Sequence, residues 1–218
     1  MMKVFSEIML RGQLFSCLSQ EGVLITKLNN LSNKLLTYYK DPKRSYHTIK
    51  HIIELLDYLD LFPNLENRNI FVLAIIFHDI IYSVNRDDNE ELSVEFFKSS
   101  MNEINYHDKD VIDQVSSWIL ATKTHENDTG DYDCLFFLDM DMAILGSESN
   151  RYEEYCDQVY QEYVTNGGVD PERYVEGRKK FLNGVLKSEQ IFKTPLFNRL
   201  FENTARQNIE RELEKLNK

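Results

Sequence analysis

Residues that break a chain are scarce in this 218-residue sequence, which has only eight glycines and four prolines. No low-complexity stretch or internal repeat stands out either, so long periodic segments can run uninterrupted. Cysteine is also scarce. Cys17, Cys134 and Cys156 are odd in number, widely spaced and form no CxxC pair. That argues against a disulfide framework or a structural zinc cluster and fits a reducing cytoplasm. The three read instead as small buried or half-buried hydrophobes. Positive charge is in deficit, with 25 Lys and Arg against 36 Asp and Glu, a net charge of −11. Such a chain repels polyanions, which argues against a general nucleic-acid or anionic-membrane binder and leaves room for a local basic pocket for a small phosphate compound. Long apolar runs are missing too. The longest, IFVLAIIF (Ile70 to Phe77), falls far short of the roughly 20 residues that span a bilayer. The first twenty residues are interrupted by Glu7 and Arg11 and make a poor signal peptide. A cytoplasmic protein with no membrane segment is expected. Neither HExxH nor GxxxxGK[ST] occurs, so zinc-protease and P-loop chemistry are set aside.

What is present is an ordinary globular composition, 42% hydrophobic and 28% charged, on a chain long enough to bury a substantial core. Leu24, Leu28, Leu31 and Leu35 recur at helical spacing over about 20–39, and Pro42 stops that helix. A second helix is predicted over about 46–61, with Ile49, Ile52, Ile53, Leu56 and Leu59 on one face. A third, over about 66–81, is apolar nearly all round, the pattern of a helix at the centre of a bundle. Further helices are predicted at about 88–103, 108–123, 139–145, 148–166, 171–187 and 196–217, with a clear break at NGGVDP. Only DCLFFLDM passes for a strand. The expected fold is therefore all-α. No linker divides the chain, so one domain over 1–218 is expected, with 1–19 as an N-terminal extension.

Three segments carry candidate chemistry. In YHTIKHI, His47 and His51 are four apart, a spacing that puts two imidazoles on one helix face. In AIIFHDIIY, His78 and Asp79 interrupt the most apolar helix, where an Asp is costly unless paired or bound to a cation. In FFLDMDMAILG, Asp139 and Asp141 again interrupt an apolar run; one capping the following helix leaves the other free to face a site. Each signal is weak alone. Together, two His and two Asp make a mixed nitrogen and oxygen ligand set that suits Mn²⁺, Fe²⁺, Zn²⁺ or Mg²⁺.

The order His, His-Asp, Asp on helices resembles the HD-domain superfamily of metal-dependent phosphohydrolases. More narrowly, RSYHTIKHI, FHDIIY, DNEELS, ATKTH, FLDMDMAILG, YVEGRKKFL and ENTARQNIERE resemble a bacterial family of predicted HD phosphohydrolases, from about residue 20 to the end. The YHxxxH unit is also similar to the opening motif of cyclic nucleotide phosphodiesterases. The resemblance implies an HD-type helical bundle with additional C-terminal helices. It implies metal ligands at His51, His78 and Asp79, with Asp141 as the fourth and Asp139 as the alternative. His47 is then a proton donor or substrate contact. The implied reaction is metal-assisted hydrolysis of a phosphoester in a small phosphorylated compound, a nucleotide among the candidates. Asp79 or Asp139 would take the proton of the attacking water, and His47 would protonate the leaving oxygen.

Weaker candidates surround that set. Arg44, Lys123 and Arg178 are possible phosphate contacts, and each reads equally as a solvated charge or ion pair. Glu91 is a second acid near the site or a residue favouring its helix N-terminus. His125 closes a helix and is a site residue or a C-terminal cation. Two-metal members of the superfamily often carry two more histidines before the last Asp. Only His107 and His125 stand there, and His107 reads as a surface residue, which speaks against a two-metal centre. Glu202 and Arg206 read as an intrahelical pair. Two other functions stay open: a di-iron oxygenase of the HD fold, and a non-catalytic ligand-binding helical domain that retains a metal site.

Overall fold

The computed structural model describes residues 2–20, 22–63, 65–127 and 129–218. All regular structure among the described residues is helical. The one strand-like run, DCLFFLDM, lies inside helix α7 (Tyr132–Met142), where the Asp131 side chain accepts from the amides of Asp133 and Cys134 and caps the first turn. The chain forms two compact units, Met1–Glu126 and Asn127–Lys218. No Gly- or Pro-rich linker marks the boundary.

The first unit holds α1 (Met2–Leu18), α2 (Ile25–Tyr39), α3 (Ile49–Asp60), α4 (Arg68–Phe77), α5 (Asn89–Ile104) and α6 (Lys109–Ala121). Every residue from Ile70 to Phe77 is buried, and α4 packs against α1, α3, α5 and α6. It is the central helix that its all-round apolar sequence predicts. Each large aliphatic or aromatic side chain so buried contributes roughly 1.5–3 kcal/mol. Phe71 meets Trp118 of α6 edge-on at 4.8 Å, and Phe77 meets Phe97 of α5 at 5.0 Å. The first nineteen residues, read from the sequence as an extension, mostly form α1. Its Leu10, Leu14 and Leu18, spaced four apart, are fully buried, so α1 is part of this core.

Two helix boundaries differ from the periodicity, and both matter for chemistry. Helix α3 begins at Ile49, because the Thr48 hydroxyl accepts from the Lys50 amide and caps it there. His47 therefore precedes the helix that carries His51, and the expected one-face pair on a single helix is not what forms. Helix α4 ends at Phe77 rather than near 81. Beyond it, the His78 amide still bonds the Ala74 carbonyl and the Ile80 amide that of Phe77, while the backbone groups of Ile81 and Ser83 bond to side chains.

The second unit holds α7, a 3-10 turn at Ala143–Gly146, α8 (Ser149–Tyr160), a wide π-type turn at Gln161–Asn166, α9 (Pro171–Lys187) and α10 (Pro195–Leu216). The Asp170 carboxylate caps α9 with Pro171 in its first turn, as the Asp-Pro pair predicts. Helix α10 lies against the 3-10 turn. A Cβ at Gly146 would stand 2.6 Å from the Cβ of Phe201, so only glycine permits that approach. Asn208 of α10, fully buried, donates 2.9 Å hydrogen bonds to the Leu145 and Ser147 carbonyls and fixes the same turn.

Candidate metal centre

The site grows from where α3 starts and α4 stops. The two helices run antiparallel: His51 at the start of α3 meets His78 at the end of α4, and Arg68 at the start of α4 donates to the Leu59 carbonyl near the end of α3. His51, in the first turn of α3, and His78, the residue after α4, are both buried. Their Nε2 atoms are 3.3 Å apart. Asp79 Oδ2 lies 2.9 Å from His78 Nε2 and 3.7 Å from His51 Nε2. His78 still has helical backbone angles, φ −60° and ψ −40°, and its Nε2 and the carboxylate of the adjacent Asp79 meet just past the end of α4.

One tautomer of this cluster follows from its hydrogen bonds. His78 Nδ1 is 3.0 Å from the Ile75 carbonyl, which only accepts, so Nδ1 carries the hydrogen. In the neutral ring Nε2 is then a bare lone pair. It faces a carboxylate oxygen and a second imidazole nitrogen. Two acceptors, His78 Nε2 and the Asp79 carboxylate, thus meet His51 Nε2 in a buried place, an arrangement that a hydrogen on His51 Nε2 or a cation between the three atoms satisfies.

The dimensions fit a cation. Donors held at roughly 2.0–2.2 Å from one divalent ion lie about 3–3.5 Å apart in tetrahedral or octahedral geometry. The three separations here, 2.9, 3.3 and 3.7 Å, bracket that range. One ligand atom from each of His51, His78 and Asp79 lies within 4.8 Å of the other two. The His78 Nδ1 bond to a backbone carbonyl is also the usual way a metal-binding imidazole is oriented.

His47 stands beside the cluster. Its Nε2 is 4.0 Å from Asp79 Oδ2, and its ring stacks on Tyr82 with centroids 4.0 Å apart. Tyr46 packs against both the His47 and the His51 rings. The side chains of His47 and Asp79 keep 19% and 18% of their exposure, against 4% and 1% for His51 and His78. The imidazole pair is thus the floor, and His47 with Asp79 forms the accessible edge.

Side chains add to the backbone bonds that hold the segment bearing Asp79. Arg44, buried, donates from Nη1 to the carbonyls of Asp79 (2.7 Å) and His47 (3.1 Å), and from Nη2 to that of Ile80 (2.8 Å). Tyr39 Oη donates to the Ile76 carbonyl at 2.7 Å. The Ser93 hydroxyl accepts from the Ile81 amide and donates to the Ile81 carbonyl, and the Asn89 side chain does the same for Ser83. Tyr39 thus satisfies a carbonyl that the C-terminus of α4 leaves orphaned, and Arg44, Ser93 and Asn89 satisfy those of the segment beyond it. The role of Ser93 and Asn89 was not apparent from DNEELS, in which the acid Glu91 attracts attention. The available clue is a Ser at a buried helical position.

The other candidates lie elsewhere. Glu91 and Lys123 pair with each other at 2.5 Å on the surface, and Lys123 also donates to the Asp87 carbonyl. That hydrogen bond holds the Glu91 carboxyl below its usual range. His125 follows α6 in a left-handed conformation, φ 53°. His107 is exposed between α5 and α6.

In the second unit Arg178 is buried, with Nε and Nη2 on Glu212 (2.8 and 3.1 Å) and Nη1 on Tyr155 Oη (3.0 Å). Its guanidinium is committed to that network. Asp139 is buried in α7 and accepts from the Lys193 amide (2.8 Å), the Thr194 amide (2.7 Å) and the Thr194 hydroxyl (2.6 Å). It thereby secures the segment leading into α10, and does not cap the helix that follows it. Burial pushes the Asp139 carboxyl up, against the lowering effect of the Thr194 and Lys193 bonds. Asp141 is half-buried on the same helix. Glu202 and Arg206 form the expected pair at 2.7 Å, but Glu202 also accepts from the Ile191 and Phe192 amides, and Arg206 donates to the carbonyls of Leu186, Ser188 and Glu189. Compared with known proteins, the chain matches no family model, no curated protein and no solved structure.

Proposed function

We propose that this protein is a metal-dependent phosphohydrolase of the HD type, acting on a phosphoester of a small compound. The observation that supports the reading most is the convergence of His51 Nε2, His78 Nε2 and Asp79 Oδ2. When bound there, a divalent cation supplies Lewis acidity toward water and toward a phosphoryl oxygen. His51 and His78 would hold it from the buried side. Asp79, at the open edge, neutralises part of its charge and accepts the proton of the attacking water. The water oxygen forms the new bond to phosphorus as the bond to the leaving oxygen breaks. His47, steadied by the Tyr82 ring, delivers a proton to that leaving oxygen. The net charge of −11 favours a small substrate over a polyanionic polymer. Mixed imidazole and carboxylate donors admit Mn, Fe, Zn or Mg.

Asp139 already accepts three hydrogen bonds, so Asp141 is the residue whose substitution tests the expectation of a fourth ligand. The first experiment is metal analysis by mass spectrometry of wild type and His51→Ala, both purified without chelator. It is followed by hydrolysis of p-nitrophenyl and bis-p-nitrophenyl phosphate with the retained metal. About one ion per chain is expected in the wild type from the single His51–His78–Asp79 cluster. His51→Ala should lose both ion and turnover while keeping its helical circular dichroism. A wild type that takes up none of the four metals would refute the reading.

A further inference from the structure

Arg44 was one of three basic side chains set aside for substrate phosphate, and its position does not suit that task. It is buried, and both of its terminal nitrogens are engaged with backbone carbonyls. Those carbonyls belong to His47 on one side and to Asp79 and Ile80 on the other. The guanidinium therefore joins the segment before α3 to the segment after α4. These are the two pieces of chain that deliver His47, His51, His78 and Asp79. The plane of the guanidinium is itself located by two rings, Tyr39 at 5.3 Å and Tyr82 at 5.8 Å, and Tyr82 is the ring on which His47 stacks.

We infer that Arg44 is the positioning residue of the metal centre, fixing the spacing between the histidines of the α3 side and the His78–Asp79 doublet. The inference rests on the metal-site reading above and extends it to a residue that touches neither ion nor substrate. A rigid fork is what the task needs. One planar group must meet three carbonyls from two segments, and a lysine ammonium has a single nitrogen for the purpose. The fixed charge also lies at the C-terminal end of α4, where the helix dipole favours a cation.

Arg68 provides a control at the far end of the same helix pair. It donates to the Leu59 carbonyl at 3.0 Å and pairs with Asp60, so it also joins α3 to α4, but away from the histidines. The test is a Co²⁺ titration of the full chain, followed by visible absorption, for wild type, Arg44→Lys, Arg44→Gln and Arg68→Gln, with thermal unfolding of each. Both Arg44 variants should bind Co²⁺ on the order of 10–100-fold more weakly, the usual effect of losing a group that orients metal ligands. The absorption bands should change shape, with Arg44→Lys nearer to wild type. Arg68→Gln should keep wild-type affinity and bands at a comparable loss of Tm. If Arg44→Gln does not fold, Arg44→Lys carries the test. Wild-type affinity and bands in Arg44→Lys would overturn this inference alone, and so would an equal loss in Arg68→Gln. A wild type that binds no Co²⁺ would overturn the metal site and the inference with it.

Discussion

A carboxylate in an apolar run announces that it has a partner, but not which kind. Asp79 and Asp139 look alike in sequence, each set in a run rich in Ile, Phe, Leu or Met. In the fold Asp79 meets two imidazole nitrogens, whereas Asp139 meets two amides and a hydroxyl. The difference has a measurable consequence. Asp139→Asn puts an amide NH₂ where a donor already points, and should cost about 1–3 kcal/mol of stability by urea unfolding. Its Co²⁺ affinity should match wild type. The opposite result, normal stability with lost metal, would make Asp139 the ligand. The pH sign follows from its raised pKa. Asp139 contributes stability that is fully present below its ordinary value of 3.8 and is lost as pH rises through the folded value.

At the scale of elements, the second unit is tied through α10. Glu202 and Arg206 gather the end of α9 and the chain that follows it to Phe192, Asn208 holds the 3-10 turn, and Glu212 meets Arg178 of α9. Burial pushes the Glu212 carboxyl up, but the hydrogen bonds and charge of Arg178, with the Tyr152 and Cys156 bonds, outweigh it and leave the pKa lowered. A lowered carboxyl contributes stability that is present above its ordinary value of 4.5 and is lost as pH falls through the folded value. Glu212→Gln should therefore lower Tm at neutral pH and flatten its decline below pH 4.5, read by calorimetry across an acid series. Arg178→Met alone should cost about 3–5 kcal/mol, since it strands a buried carboxylate. Arg178→Met with Glu212→Leu should recover only part of that, because the Tyr152 and Tyr155 hydroxyls lose their partners.

For the whole molecule, the sequence predicts one domain because no linker interrupts it, and the fold contains two compact units. The first has its own core, from Leu10 of α1 through Ile70–Phe77 of α4 to Trp118 of α6, and contains the whole His51–His78–Asp79 cluster. A fragment spanning 1–126 should therefore fold alone, with helical circular dichroism and a cooperative melt. A broad, non-cooperative transition would show that its core is insufficient. Among the described residues, no helix is long and apolar enough to cross a membrane, as the short apolar runs predict.

The sequence by itself determined the helical class, the central place of α4, and the His and Asp residues that could share an ion. Those properties follow from local spacing: apolar residues at a 3.6-residue period, and charges placed where that period demands burial. Tertiary structure decided which donors meet. His47 and His51 converge although a Thr48 cap puts them outside a common helix. His78 and Asp79 meet just past the end of α4, where Tyr39 holds the Ile76 carbonyl and Arg44 those of Asp79 and Ile80, each from more than thirty residues away. Bonds between a side chain and a distant backbone carbonyl leave no periodic trace. For that reason Arg44, Ser93 and Asn89, which shape the site, were not legible as such in the sequence.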